Sequence, residues 1–296
     1  MKRIAVTGST GLIGHQVVRR LQGAGMEVIR LVRHEPREPS EVQWNPSRPS
    51  NLSPAGELDA VVHLAGENIA AKRWTSQRRD QLRASRVDVT RNLVQSFLTL
   101  PRPPTVFVTA SATGWYRTDI SNPQDESAPA ADTFLGRLVR DWEAAAFEAR
   151  TLGIRTVATR FGVVLAKEGG MFARLLPIFR LGLGGPVGAG EQILSWVTLE
   201  DAVAAIRFVL ETPMDGPVNV VAPQPVPQRE FAAALARALH RPAWIRTPAW
   251  ALRILFGEMA DALLLSGARV IPTRLQAAGF EFQHPTLEQA LRAILP

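Results

Sequence analysis

Ile4-Ala5-Val6-Thr7-Gly8-Ser9-Thr10-Gly11-Leu12-Ile13-Gly14 runs a short apolar segment straight into three glycines spaced three apart. A strand that feeds a glycine-rich turn and then opens a helix is the dinucleotide-binding fingerprint. Gly8 permits the tight turn, Gly11 lets the backbone approach a pyrophosphate, and Gly14 lets the helix pack close to the strand. Thr10, Leu12 and Ile13 complete the turn and the first helical residues, whose free N–H groups and partial positive charge suit an anion. Glycines also mark ordinary βα turns. Here the required context is present, because Lys2 to Val6 is strand-like and Val17, Val18 and Leu21 fall on one face of a following helix.

Further along, strand-like runs alternate with helical ones. Val28 to Val32, Ala60 to Leu64, Thr105 to Thr109 and Arg155 to Thr159 read as strands. Gln77 to Leu98 reads as one helix, and another starts near Thr133. This alternation predicts a doubly wound α/β architecture, a parallel sheet covered on both faces. Pro36 to Glu57, rich in Pro, Ser and Asn, reads as a loop with little regular structure. After Lys167 the pattern changes: glycines at 169–170 and 182–190 bracket a helical stretch from Met171 to Leu181. Leu199 to Leu210 is helical, Val218 to Val221 is strand-like, and Gln228 to Leu295 is largely helical with proline punctuation. The reading is a nucleotide-binding domain over 1–166, its sheet completed by segments within 195–222. A smaller, mostly helical C-terminal lobe over 167–296 closes on the substrate side.

The 296 residues, 46% of them hydrophobic, can bury a large core, and no Cys is present. Disulfides, thiolate zinc sites and a Cys nucleophile are therefore excluded. His15, His34, His63, His240 and His284 show no metal-ligand spacing, so no metal is expected. Net charge is +7 and almost all of the cations are Arg, Lys standing only at positions 2, 72 and 167. These arginines are scattered, without a basic run or aromatic interleaving, so no nucleic-acid partner is expected. No signal peptide is visible, and the apolar stretch from Ala249 to Leu265 is broken by Arg253, Glu258 and Asp261. The expectation is a cytoplasmic protein with no membrane partner.

Thr7-Gly8-x-x-Gly11-x-x-Gly14 with this spacing resembles the extended short-chain dehydrogenase/reductase superfamily, which includes nucleotide-sugar epimerases and dehydratases. Asp59 to Gly66 is similar to that family's third-strand motif, which lines the adenine and ribose; Leu64, Ala65 and Gly66 are its cofactor-facing end. Val108 to Thr113 is similar to the strand end that carries the active-site Ser. A narrower likeness joins Leu64 to Ile69, Lys72-Arg73-Trp74, Ser85-Arg86, Arg140 to Glu143, Arg180 to Pro186, Ser195-Trp196 and the stretch around Gly267 to Gly279. Together they resemble an atypical epimerase subfamily, sometimes labelled cell-division inhibitors, with a short terminal domain of unknown function.

The second strand ends Leu31-Val32-Arg33-His34, with no carboxylate before Glu35. An acid here would bind the ribose 2′-hydroxyl of NAD, whereas Arg suits the 2′-phosphate of NADP. Arg33 therefore favours NADP(H), although a solvated surface Arg is the plainer alternative. Arg86 is a second phosphate candidate by the resemblance.

In dehydrogenases of the superfamily a Tyr acts as acid/base and a Lys one helical turn on lowers its pKa. Only one Tyr, Tyr116, stands in the chain, and position 120 is Ile; with Glu143 as anchor the Tyr and Lys places fall near Leu135 and Val139. Ser111, Thr113 and Tyr116 remain as candidate catalytic residues. The resemblance makes Ser111 the donor to the reacting oxygen, Thr113 a second donor and Tyr116 a displaced acid. The alternatives are a strand-end hydroxyl satisfying loop backbone for Ser111 and a packed pocket wall for Tyr116. His63 reads as a buried, hydrogen-bonded side chain, Asp125-Glu126 as a solvated loop pair, and Glu200-Asp201 as helix-start charges. The expected function is NADP(H)-dependent reduction or epimerisation of a small or nucleotide-linked substrate without the usual Tyr/Lys pair. The alternative is a non-catalytic NADP(H) sensor or partner-binding protein. Substrate, direction of hydride transfer and oligomeric state stay open.

Overall fold

Nearly continuous apolar runs in the inner strands bury both faces of a parallel seven-stranded sheet in the computed structural model, which describes residues 2–295. The chain begins β1 (Arg3–Thr7), α1 (Leu12–Gly23), β2 (Glu27–Val32), β3 (Glu41–Gln43), β4 (Ala60–His63), α2 (Ser76–Ala84), α3 (Val87–Ser96) and β5 (Val106–Ala112). It continues through β6 (Asp119–Gln124), α4 (Phe134–Phe147), β7 (Arg155–Phe161), β8 (Val163–Leu165) and α5 (Gly170–Arg180). Next come β9 (Ile193–Leu194), β10 (Trp196–Thr198), α6 (Leu199–Glu211), β11 (Gly216–Val220), β12 (Val226–Pro227) and α7 (Gln228–Ala238). It closes with α8 (Ala249–Phe256), α9 (Glu258–Leu263), β13 (Ala268–Val270), α10 (Thr273–Ala277) and α11 (Leu287–Ile294).

The seven-stranded sheet has the order β11-β7-β5-β4-β1-β2-β3. From β1 the chain winds outward through β2 and β3, then returns to the other side of β1 at β4. That reversal leaves a crevice beyond the C-terminal ends of β1 and β4, the place where such sheets bind ligands. Ile4 and Val6 face α1 and α6, where Val17, Leu21, Ile206 and Val209 are buried. Ala5, between them, faces the opposite layer with Leu93 and Phe97. Each fully buried aliphatic or aromatic side chain contributes about 1.5–3 kcal/mol. The fold is thus the Rossmann-like α/β arrangement expected, with helices gathered in the C-terminal region.

Two local expectations fail. The helix read over Gln77 to Leu98 is two helices, α2 and α3. Ser85 Oγ and the Arg86 guanidinium both donate to the carbonyl of Leu82, at 2.9 and 3.3 Å. Side chains thereby occupy an acceptor of the last turn of α2. The loop read over Pro36 to Glu57 contains β3 and a 3₁₀ turn at Ser53–Ala55. Its Trp44, Leu52 and Ala55 are buried in the core beside Phe107, so the polar composition hid three inward-facing anchors.

The C-terminal region packs a separate core of Phe172, Leu176, Phe231, Leu235, Leu287 and Leu291. It returns to the nucleotide-binding half through β13, which pairs with β6 in a separate two-stranded sheet. Asp201, expected to serve its own helix start, is fully buried and also accepts the backbone N–H groups of Gln283 and His284, at 2.8 and 3.1 Å. It ties the chain end to α6.

Candidate functional site

The glycine loop has no slack. Gly8 adopts φ +67°, and a Cβ there would lie 2.7 Å from the Leu64 backbone. A Cβ on Gly14 would lie 2.1 Å from the Gly8 carbonyl, so Gly14 is required by the turn itself. Gly11 and Thr10 are exposed, while Leu12 and Ile13 are half-buried at the mouth of the crevice. Gly11 caps α1 without any side-chain hydrogen bond, and the first turn holds no acid. The first N–H groups of α1 therefore face the crevice unsatisfied, which suits a pyrophosphate.

Opposite the loop, Leu64 and Ala65 donate their N–H groups to Thr7 Oγ1 at 3.2 and 3.3 Å. Gly66 is exposed, and nothing lies within 4 Å of where its Cβ would be. The two glycine-bearing ends thus border an open groove. Arg33 stands exposed at the end of β2 and lines a hollow of about 560 Å³ together with Arg48, Trp44 and Asn45. Arg48 escaped the sequence reading because it sits in the irregular segment before β4. Two guanidinium groups on one hollow suit a phosphate better than one does. Arg86 instead spends donors on the carbonyls of Leu82 and Glu67 and on Ser85 Oγ, and lies over the Trp142 ring. Burial, with Arg78 nearby, lowers its pKa to about 10, so it stays charged and holds the loop after β4 in place. Another hollow, about 730 Å³, lies against Arg19, Arg20 and Gly23, toward the C-terminal part of α1, and so outside this crevice.

His63 is fully buried and shares a 2.7 Å hydrogen bond with Thr7 Oγ1. Thr7 Oγ1 already accepts two N–H groups, so its proton points to Nδ1 and the imidazole is neutral. Burial pushes its pKa down to about 3. The folded state then binds fewer protons than the unfolded chain between about pH 6.5 and 3. Its stabilising contribution is complete above pH 6.5 and is lost as the pH falls toward 3. Between pH 6.5 and 5 the loss should reach about 2 kcal/mol. Urea titrations of wild type and His63→Gln at pH 7 and pH 5 should show the substitution flattening the pH dependence by that amount. Equal slopes would mean that His63 does not titrate this way.

The candidate catalytic residues gather at the end of β5. Ser111 is 3% exposed and donates to Glu143 Oε1 at 2.5 Å. Glu143 accepts from Arg160 Nε at 2.7 Å and Nη2 at 2.8 Å. Arg160 Nη1 donates to the Tyr116 hydroxyl at 3.0 Å, and that hydroxyl donates to Asn219 Oδ1 at 2.6 Å. The Arg160 guanidinium also stacks 3.8 Å from the Trp115 ring centroid. Ser111 and Tyr116 are therefore two ends of one buried chain. The expected free Ser111 donor is corrected: its proton is committed to the carboxylate that also pairs with Arg160. Tyr116 has a cation beside it in Arg160. Burial nevertheless pushes the phenol up to about 12, because desolvation outweighs the guanidinium.

Glu126 is likewise not solvated. It is buried, accepts the Asn219 N–H at 2.9 Å, and covers the edge strand β11. Burial raises its pKa. Asn219, Arg160 and Glu143 are not legible in the sequence as partners of Ser111 and Tyr116, because each lies on a different element and only the fold joins them.

A cleft of about 430 Å³ opens beside this chain, between the end of β5 and the C-terminal region. Thr113 lines it, half-buried, with a hydroxyl uncommitted among the described residues. The Tyr116 ring forms a wall, as does Leu135, near which the resemblance puts the acid/base Tyr. Val139, near the Lys place so implied, is buried. Close backbone approaches fix the far side: a Cβ on Gly267 would lie 2.0 Å from the Ile193 carbonyl. Among the described residues no cluster could hold a metal ion, and no helix is long and apolar enough to cross a membrane.

Residues 4–222 match the model of the NAD dependent epimerase/dehydratase family, and residues 247–294 match a domain of unknown function, DUF1731. An epimerase family protein of Mycobacterium bovis is 41% identical over 97% of this chain and 96% of its own. The epimerase family protein SDR39U1 of Bos taurus is 36% identical, covering 99% of both chains. The crystal structure of human SDR39U1 with NADPH superposes with a TM-score of 0.91 at 34% identity, over 99% of each chain. A nucleoside-diphosphate sugar epimerase from Corynebacterium glutamicum superposes with a TM-score of 0.82 at 30% identity, over 99% of this chain and 58% of that one.

Proposed function

Because the chain belongs to the NAD dependent epimerase/dehydratase family, we propose that it is an NADP(H)-dependent oxidoreductase or epimerase acting on a small substrate without a Tyr/Lys pair. The observation that carries this reading is the fit of the crevice to the cofactor. Tight glycines, an uncapped helix start and the hollow shared by Arg33 and Arg48 each meet a different part of such a molecule. The NADPH-bound structure of human SDR39U1 supports the choice of cofactor. When bound, NADP(H) supplies hydride exchange at C4 of its nicotinamide.

The chain's own residues do the rest. Gly8 to Gly14 bind and orient the pyrophosphate through N–H groups. Arg33 and Arg48 select the 2′-phosphate. Thr113 donates a hydrogen bond to the reacting oxygen, and Leu135 and Tyr116 form the wall beside it. The Ser111–Glu143–Arg160–Tyr116 chain holds the strand end that carries Thr113. A proton reaches the substrate oxygen from water, since neither Ser111 nor Tyr116 has one to spare.

Arg33→Ala should weaken NADPH by about ten- to a hundredfold, the effect of losing roughly 1.5–3 kcal/mol of charge-assisted contact. NADH should be almost unaffected. Calorimetric titration of both cofactors checks this, and equal weakening would remove Arg33 from the phosphate site. The function itself is tested by NADPH oxidation over a panel of carbonyl compounds. A second reading, a non-catalytic NADP(H) sensor, is favoured by one observation: the Ser111 proton is held by Glu143. Tight NADPH binding without turnover on any member of the panel would move the assignment there.

A further inference from the structure

The walls of the 430 Å³ cleft are chemically one-sided. Trp74, Phe134, Ile193, Leu194 and Leu263 line it, and the only charged lining groups among the described residues are Glu258 and Asp261. Both are acids, and both are already paired, Glu258 with Arg79 and Asp261 with Arg253 at 2.9 Å. No lysine or arginine lines the cleft. Arg160, behind the Tyr116 wall, is 1% exposed, bound to Glu143 and covered by the Trp115 ring.

A nucleoside diphosphate carries at least two negative charges, and burying them requires cations or a cradle of N–H groups. This cleft offers neither: its two carboxylates already occupy Arg79 and Arg253, and the rest of its lining is largely apolar, so it has no group to hold an anion. Its volume is at the small end of the roughly 300–1,000 Å³ range of ligand sites, and the nicotinamide ring must share it. The polar groups that are free to orient a guest are few. Thr113 is on the floor and Thr118 at the side.

We infer that the cleft takes an uncharged, largely apolar carbonyl compound or its alcohol, and that it excludes nucleoside diphosphate sugars. This rests on the reading of the cleft as the reaction site given above. Selectivity then comes from the apolar walls and two hydroxyls, and it sets the chain apart in substrate class from a relative that bears a nucleoside-diphosphate sugar name.

Binding can be read without turnover. Acetophenone, cyclohexanone and UDP-glucose are titrated by calorimetry and by thermal shift, with and without saturating NADP⁺, which cannot reduce a ketone. The expected result is a ketone dissociation constant of about 1 mM or tighter, with UDP-glucose at least about tenfold weaker. Leu194→Gln should weaken the ketones several-fold and leave NADP⁺ binding unchanged. UDP-glucose binding as tightly as the ketones, or no binding of either ketone, overturns the inference whatever the variant does. Failure of NADP⁺ itself to bind would instead fell the proposed function, and the ketone-to-nucleotide ranking on the free protein would still decide the substrate class.

Discussion

Glu143→Ala is expected to destabilise the protein by about 3–5 kcal/mol, the cost of leaving a buried charge without its partner. Arg160 is 1% exposed, and both of its ion-pair hydrogen bonds end on this carboxylate. Removing Glu143 also strips Ser111 of its acceptor. Water cannot easily compensate, because Trp115 covers the guanidinium from one side and Asn219, behind Tyr116, is fully buried. Glu143→Gln keeps an acceptor but not the charge and should cost less. The double variant Glu143→Leu with Arg160→Met, which removes both charges, should be milder than Glu143→Ala alone. Urea unfolding at neutral pH separates these cases. A loss below about 1 kcal/mol for Glu143→Ala would place the pair among weak surface-like bridges and would sink its role as the support of the strand end.

The residues that were legible in the sequence are those whose role is local. Gly8, Gly11 and Gly14 act within one turn, so spacing alone exposes them, and the structure adds only that Gly14 is pressed against Gly8 rather than against the strand. The parallel sheet was legible because each strand is a continuous apolar run beside a helix. The short strands were not: β3, at the edge of the sheet, is three residues long inside a polar segment, and β6 and β13, which form a separate two-stranded pair, carry a mixed pattern. The site was half legible. Ser111, Thr113 and Tyr116 lie within six residues of one another, yet what each hydroxyl does depends on Glu143, Arg160 and Asn219, which come from α4, β7 and β11. Glu126 was misread for the same reason. Its sequence neighbours are polar, whereas its spatial neighbours are the edge of β11 and α10.

That distinction decides which hydroxyl matters for chemistry. Once a substrate is found, Thr113→Val should lower kcat by about 10²–10³, the usual effect of removing a donor aimed at a developing oxyanion. Val keeps the shape of Thr, so little else changes. Ser111→Ala should cost less in kcat, because its hydroxyl serves Glu143 rather than the cleft, and its effect should appear as lost stability as well. Tyr116→Phe should also leave a working enzyme. With the phenol pushed up to about 12, no ionisation of Tyr116 can shape the rate profile at neutral pH, and its proton is already given to Asn219. A site with a donor but no base favours carbonyl reduction, where the oxygen gains a proton, over alcohol oxidation, where a base must remove one. Rates of the three variants in both directions, read beside their unfolding curves, test the assignment. If Ser111→Ala loses a hundredfold while keeping its stability and Thr113→Val does not, then Glu143 must release the serine when substrate binds. The reacting oxygen would in that case belong to Ser111, with Thr113 as its neighbour.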